Sequence, residues 1–434
     1  MRPLFCRFFS LLVQSKSQVA SFESSEGSHH LYSRQSSLTD LRLKLEYLSM
    51  ASTTPRIVII GAGFSALWAA LSAARKLHLA GKPDGAVEII LIAPEPVLYM
   101  RPRLYESDLS EASVLITPLL DTVGVHYVQG SVQNIDVEKN RLQYHSEAGE
   151  TLFLNFDRLV LASGSKLSRP PSVAGLQEHG WDADQMDSAL KLDAHLKSLA
   201  AFPDSPARNT VVVCGGGFTG VELAAEMPAR LRNILGASAD VKIVVLERAG
   251  TICPEMPAPP RPVIAEALVD LGVEVLLGET VVSLDAEGVT TRSGKRIASK
   301  TVIWSAGMRA SDLTAHIPTE RDALGRLHVS QNLNIFTPGL QHIYATGDTA
   351  HIAVDDAGHL ALQSCQHAVY MGKAAGNNVM ADVLGVPPAP YRQPRYTMGI
   401  ALGAWGGVFA VGWGSRSSAL RRKGRRLRRT LIHR

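Results

Sequence analysis

The sequence predicts an α/β protein organised around two strand–turn–helix units of the same design. Two stretches carry that prediction. Residues 57–66 read Ile-Val-Ile-Ile-Gly-Ala-Gly-Phe-Ser-Ala, four β-formers running into glycines, and Trp68, Leu71, Ala74 and Leu77 then recur at helical spacing. Residues 210–220 read Thr-Val-Val-Val-Cys-Gly-Gly-Gly-Phe-Thr-Gly, the same pattern displaced by 154 residues. Length agrees with two units. A chain of 434 residues exceeds one typical domain, and a hydrophobic content of 46% supplies more than one buried core.

In the first unit the turn reads Gly-x-Gly-x-x-Ala. Gly61 permits the tight turn, Gly63 lets a pyrophosphate approach the backbone, and Ala66 is small enough for close helix–strand packing. The helix that follows points free N–H groups and a partial positive charge at the phosphates. Val87 to Ile92 reads as the second buried strand, whose end should present an acid to the ribose hydroxyls. Ala93 stands there instead, and the nearest acid is Glu95. Either Glu95 reaches back or the ribose is held otherwise. Leu98 to Glu106 holds two Tyr, two Arg and a Pro, which suits either packing on a planar anionic ligand or a surface turn with scattered aromatics. Val125 to Val137 and Arg141 to Phe156 alternate as short strands. Phe156 to Ser165 reads as a buried strand ending in small residues, where the chain can approach a ligand closely.

Pro170, Pro171 and Gly175 mark a boundary before the second unit. Here Gly215, Gly217 and Gly220 fill all three small-residue positions of the turn. Val241 to Leu246 ends in Glu247, at the place of the ribose acid. A carboxylate there accepts from the 2′-hydroxyl of NADH and repels the 2′-phosphate of NADPH. The adjacent Arg248 softens that preference, so NADPH stays open. Val273 to Leu277, Val281 to Leu284 and Thr301 to Trp304 read as strands closing this unit. His342 to Asp348 reads as a short strand running into Gly-Asp, and Gln363 to Gly372 as the opening of a helix.

The four cysteines (Cys6, Cys214, Cys253, Cys365) lie far apart, which excludes a disulfide scaffold, a zinc ribbon and a neighbouring redox dithiol. No metal site is expected, and the compartment is expected to be intracellular, cytoplasmic or mitochondrial. No uncharged apolar run reaches membrane-spanning length. The net charge of +4 conceals an asymmetry, because residues 383–434 contain no acid and eleven Arg or Lys. Eight of the last fourteen residues are basic. This tail is either a solvated disordered segment or a peripheral contact with anionic lipid. Nucleic-acid binding is not expected, since no fold motif supports it. Thr397 to Trp413 is apolar and Gly-rich, either sheet strands or a patch facing membrane or partner. Residues 1–49 have the Arg-containing, Ser-rich, acid-poor composition of a presequence. Met50 stands directly before the first strand, so they read equally as a disordered leader.

Five features now stand in one order: the turn at Gly61, Leu-Ala-Ser-Gly at 161–164, the turn at Gly215, Trp-Ser-Ala-Gly at 304–307 and Ala-Thr-Gly-Asp at 345–348. In that order they resemble the two-dinucleotide-binding-domain flavoproteins, the pyridine nucleotide–disulfide oxidoreductase superfamily. Within it the chain is most similar to the type II NADH dehydrogenase and apoptosis-inducing-factor-like branch, over about residues 55–385. The resemblance implies an FAD-binding domain (50–170 and 308–385) interrupted by an NAD(P)H-binding domain (171–307), with a C-terminal region over 386–434. It implies FAD contacts from Gly61, Gly63, Ala66, Ser163, Gly164, Gly347 and Asp348. Gln366, His367 and Ala368 are implied beside the flavin's pyrimidine edge, and Arg101 and Pro102 along its ring. NADH is implied at Gly215, Gly217, Gly220, Glu247 and Gly307. Glu222 is implied near the nicotinamide, its plain alternative being a helix-surface carboxylate near a positive N-terminus.

The implied reaction is hydride transfer from NADH to FAD, then oxidation by a quinone or other small acceptor, with no protein nucleophile. Cys214 and Cys365 read as small packing residues. The chain departs from the superfamily pattern in lacking the cysteine pair of disulfide reductases. It also has Tyr370 where quinone-reducing members show a second Gln in Ala-Gln-x-Ala-x-Gln. A pathway-specific flavin oxidoreductase, or a redox signalling protein like apoptosis-inducing factor, therefore stays open. A homodimer is a further expectation.

Overall fold

The computed structural model describes residues 54–413 in full and the backbone of residues 416–423 and 426–433. The leader expected over residues 1–49 lies outside the described residues. In chain order, β1 (Arg56–Ile60) leads through the first glycine turn into α1 (Phe64–Leu79), followed by β2 (Glu88–Ala93), β3 (His126–Gln129) and β4 (Arg158–Leu161). Strand β5 (Thr210–Cys214) leads through the second turn into α2 (Phe218–Leu235), followed by β6 (Lys242–Glu247), β7 (Val273–Leu277) and β8 (Thr301–Trp304). Then come β9 (Ile343–Ala345), α3 (Cys365–Val383), β10 (Thr397–Leu402) and β11 (Gly406–Val411).

Two five-stranded sheets result, each parallel throughout. Their orders are β9-β4-β1-β2-β3 and Gly180–Trp181 followed by β8-β5-β6-β7. Strands β1 and β5 occupy the central place in each. Ile57, Val58 and Ile59 are fully buried, as are Val211, Val212 and Val213. A strand covered on both faces needs such an unbroken apolar run, and both sequences supply it. Ser165–Leu167 pairs antiparallel with Met308–Ala310, so the chain's passages between the two sheets run side by side. The strand Val281–Asp285 does not join β7. It belongs to a separate three-stranded antiparallel sheet.

Helices α1 and α3 meet at backbone distance. A Cβ on Gly372 would lie 2.4 Å from the Ser65 carbonyl oxygen, and one on Gly376 would lie 2.0 Å from that of Ala69. Ala66, Ala69, Ala70, Ala73 and Ala375 are all buried, so small residues on both helices bring the axes close. This contact sets where both helix N-termini fall.

The apolar stretch over 397–413 forms strands. In β10, Met398, Ile400 and Leu402 are buried and pack in one core with Val221, Leu223, Ala224 and Ala225 of α2. Strand β10 is the edge of its sheet, which continues through β11 to Arg416–Lys423 and Arg426–His433. The disordered tail named as one alternative is thereby corrected: the backbone there pairs as an antiparallel ladder.

Replacing Gly376 with Ala is expected to force α3 off α1. Overpacking of this kind costs about 1–3 kcal/mol, to be read as a lower urea midpoint with unchanged slope. A midpoint equal to that of the parent would show that the helices have room to spare.

Candidate cofactor and active site

Parallel strands open their C-terminal ends on one side, where ligands of such sheets bind. In the first sheet Ile60 is level with Leu161, and Leu161 with Ala345. Gly61–Gly63, Ser163–Gly164 and Gly347–Asp348 therefore line one edge. Gly61 has φ +120°, and a Cβ on it would lie 2.5 Å from the Ala162 carbonyl oxygen, so only glycine makes this turn. Gly63 is the N-cap of α1, which has no capping side chain and no acid in its first turn. A Cβ on Gly63 would meet nothing within 4 Å. The cradle is open, and its N–H groups lack helical acceptors. The Ser163 hydroxyl is buried there without a protein partner. Orphan donors at an uncapped helix start fit a dinucleotide pyrophosphate. Ala66, fully buried, acts as a spacer in the packing.

Asp348 anchors the far side of this edge. It accepts from Ser165 Oγ at 2.6 Å, and Arg101 Nη1 donates to the same hydroxyl oxygen at 3.3 Å and to the Ser165 carbonyl at 3.2 Å. Arg101 also forms an ion pair with Asp184. Burial pushes the Asp348 carboxyl above its usual range, against the opposing pull of Ser165 and Arg101. Ser165 and Asp184 are site-building residues that the sequence reading did not single out. Neither carries a pattern of its own, and only the folded chain brings them to Arg101. Pro102 is exposed in the short 3-10 turn Arg101–Arg103. Glu95 is exposed beyond the end of β2, where the Tyr99 hydroxyl donates to it.

In the second sheet Cys214 is level with Leu246 and with Trp304. Gly215–Gly217, Glu247 and Ser305–Gly307 are thus brought to one edge. Gly215 has φ +116°, and a Cβ on Gly220 would fall 1.8 Å from the Gly215 carbonyl oxygen, so α2 presses directly on its turn. Helix α2 likewise starts at an uncapped glycine, Gly217, with no acid in its first turn. The Glu247 carboxylate accepts from the Gly216 N–H at 2.6 Å and the Ala249 N–H at 2.7 Å. It is therefore pinned to the glycine turn before any ligand arrives. Each oxygen keeps capacity for a further donor such as a ribose hydroxyl. Arg248 beside it is exposed.

A single strand ties the two edges together. As an edge strand, β10 has outward N–H groups that need acceptors. Gln366 Oε1 of α3 accepts from Thr397 N at 3.1 Å, and Glu222 Oε1 of α2 accepts from Ala401 N at 2.9 Å. Four residues of strand separate these points, roughly 13 Å. Burial raises the Glu222 carboxyl to about 8, with the nearby carboxylates of Glu106 and Glu226 adding to the rise. Glu222 is therefore not a plain surface carboxylate. Ala368 lies against Gly347, and His367 turns elsewhere. Its imidazole is fully buried and stacks on Tyr396 at 4.3 Å. The His367 Nδ1 accepts from Leu362 N at 3.3 Å and faces Ser364 Oγ at 3.0 Å, which puts the proton on Nε2. Burial lowers its pKa to about 4. Burial also raises the thiols of Cys214 to about 12 and of Cys365 to about 11. Both are protonated packing residues at neutral pH.

Two such glycine turns on two parallel sheets define a protein that binds two dinucleotides. Residues 55–372 match the pyridine nucleotide-disulphide oxidoreductase family, and the chain belongs to it. The class is that of FAD-dependent NAD(P)H oxidoreductases. A NADH dehydrogenase-like protein of Mycobacterium tuberculosis is 41% identical over 360 residues, covering 82% of this chain and 88% of that protein. The demethylphylloquinone reductase of Synechocystis is 30% identical, covering 83% and 88%. A type II NADH:quinone oxidoreductase of M. tuberculosis is also 30% identical, covering 78% and 75%. In fold, the chain superposes on NDH2 of Plasmodium falciparum with a TM-score of 0.70 at 14% identity, over 86% of this chain and 92% of that one. The family and the fold class expected from the five ordered features are borne out. No helix among the described residues is long and apolar enough to cross a membrane.

A buried neutral His367 makes stability depend on pH. The folded chain holds its pKa near 4 and the unfolded chain near 6.5, so the unfolded state binds the extra proton between those values. Stability should fall as the pH drops through that window, by on the order of 3 kcal/mol at its foot. His367→Phe, which keeps the stack on Tyr396, is expected to flatten the acid limb of urea midpoints measured between pH 7 and pH 4.

Proposed function

We propose that the protein oxidises NADH and delivers the electrons to a quinone by way of FAD. The observation that carries this reading is the pair of uncapped helix starts at Gly63 and Gly217, linked through β10. One cradle suits the pyrophosphate of FAD and the other that of NADH. On this reading residues 50–170 and 308–385 hold FAD and residues 171–307 hold NADH. Bound FAD supplies the two-electron chemistry. The chain's own residues position it. Gly61 and Gly63 leave space for the phosphates, Ser163 donates its orphan hydroxyl, and the Asp348 carboxyl receives ribityl hydroxyls while Ser165 and Arg101 hold it in place. Glu247, fixed by Gly216 and Ala249, receives the adenosine ribose. Glu222 stands near the nicotinamide. Relatives named as type II NADH:quinone oxidoreductase and demethylphylloquinone reductase support a quinone as acceptor.

Tyr370 supports a second reading of the acceptor. It is half exposed at the position of the second Gln of the quinone-reducing pattern, and Lys373 lies over Trp68 at 4.1 Å and over Tyr370 at 5.5 Å. An aromatic–cation face there suits a pathway-specific acceptor carrying negative charge. The basic C-terminal strands suit peripheral contact with anionic lipid, where each cation near the surface is worth about 1 kcal/mol.

The deciding experiment is anaerobic. Protein purified with bound flavin is expected to bleach on adding NADH and to recover its colour with a short-chain quinone. Bleaching without recovery would transfer the assignment to the charged-acceptor reading, and absence of flavin would sink the assignment of the first cleft. Replacing Glu247 with Ala is expected to lower the ratio of kcat/KM for NADH over NADPH about tenfold, since it removes the charge facing the 2′-phosphate. An unchanged ratio would show that another group reads the ribose.

A further inference from the structure

The two glycine cradles share a design but differ in one side chain. At the start of α1, a Cβ on Gly63 would meet nothing within 4 Å. At the start of α2, a Cβ on Gly217 would lie 3.7 Å from both carboxylate oxygens of Glu255. Glu255 comes from the segment between β6 and the helix Arg261–Asp270. The backbone on both sides of it is fixed. Cys253 N donates to the Gly216 carbonyl oxygen at 2.8 Å, and Met256 N closes a tight turn onto the Cys253 carbonyl oxygen at 2.9 Å. Cys253 and Met256 are both buried. Arg261 Nη2 donates to the Pro254 carbonyl oxygen at 2.9 Å, and its Nε and Nη2 donate to that of Met256 at 2.9 and 2.6 Å. Glu255 itself is exposed, so its side chain has room to turn outward. A tethered loop thus holds a rotatable carboxylate in front of an uncapped helix start.

Resting on the proposal that the second cleft binds NADH, we infer that Glu255 competes with the dinucleotide's pyrophosphate for the start of α2 and so sets how tightly NADH and NAD are held. The positive end of a helix draws an anion. In the empty cleft that anion is the Glu255 carboxylate. An arriving pyrophosphate meets like charge and must turn the side chain out to solvent, so part of its attraction to the helix is cancelled. The difference between the cradles matches what each has to do. The first holds a cofactor that stays through the cycle, and no carboxylate faces Gly63. The second must admit NADH and release NAD at every turnover, and a carboxylate returning to the helix start favours release. Glu255 and Glu247 act on different parts of the ligand. Glu247, pinned by Gly216 and Ala249, faces the adenosine ribose, whereas Glu255 faces the phosphates common to NADH and NADPH. Glu255 therefore weights both nucleotides alike and leaves the choice between them to Glu247.

Calorimetric titration of the flavin-loaded protein with NAD, which binds without turnover, tests the competition at low ionic strength, where exposed charges are least screened. Glu255→Gln is expected to lower the Kd for NAD roughly tenfold, and Glu255→Lys to lower it further. Raising the salt should narrow the gap between parent and Glu255→Gln. The control is Asp240→Asn, which removes an exposed charge before β6, roughly 20 Å of strand away from Glu247. It should leave the Kd at the parent value. NAD bound by Glu255→Gln no more tightly than by the parent overturns the competition, as does equal tightening in Asp240→Asn. Failure of NAD to bind the parent and all three variants would instead overturn the assignment of the second cleft.

Discussion

The close approach of α3 to α1 governs the first cleft. Gly372 and Gly376 lie against the carbonyls of Ser65 and Ala69, so the two helices share backbone surface rather than side-chain layers. Helix α1 aims its uncapped start at one end of the cleft, and Ser364 caps α3 by accepting from His367 N at 3.3 Å. Gly347 sits between them, against Ser65 and Ala368. Any side chain at these glycines would separate the helices and move Asp348, which follows Gly347 directly. Packing density and ligand geometry are one constraint here.

Strand β10 extends that constraint to the second cleft. An exposed edge invites pairing with another chain. This edge is met by two side chains, Gln366 from α3 and Glu222 from α2. The arrangement gives Glu222 a structural duty. It is held by the Ala401 N–H, and desolvation raises its carboxyl to about 8. Its loss would therefore loosen β10 as well as remove an acid. Effects of substitutions at Glu222 on turnover therefore carry a contribution from the stability of β10.

Much of this was legible in the chain because the physics is local. An apolar run into Gly-x-Gly needs only neighbouring residues to dictate strand, turn and helix, and Gly61 and Gly215 take the positive φ that the motif requires. The order of five such features was enough to place the family. What escaped depends on distant partners. Ser165 reaches Asp348 across 183 residues, and Glu222 reaches Ala401 across 179. His367 was assigned to the flavin edge through its place in a motif, yet its ring stacks on Tyr396, a residue with no periodic signal. The basic tail misled differently. Composition favoured a solvated coil as one alternative, and the ladder with β11 supplies backbone partners that composition does not register.

The electrostatics of the clefts divide labour between protein and cofactor. Cys214 and Cys365 stand near the glycine turn and at the start of α3, but burial keeps both thiols protonated, so neither offers a nucleophile. Desolvation raises the Glu222 carboxyl as well. Glu247 is engaged by backbone N–H groups and Arg101 by Asp184. The surface at Tyr370, beside Lys373, is where this sequence departs from the quinone-reducing pattern.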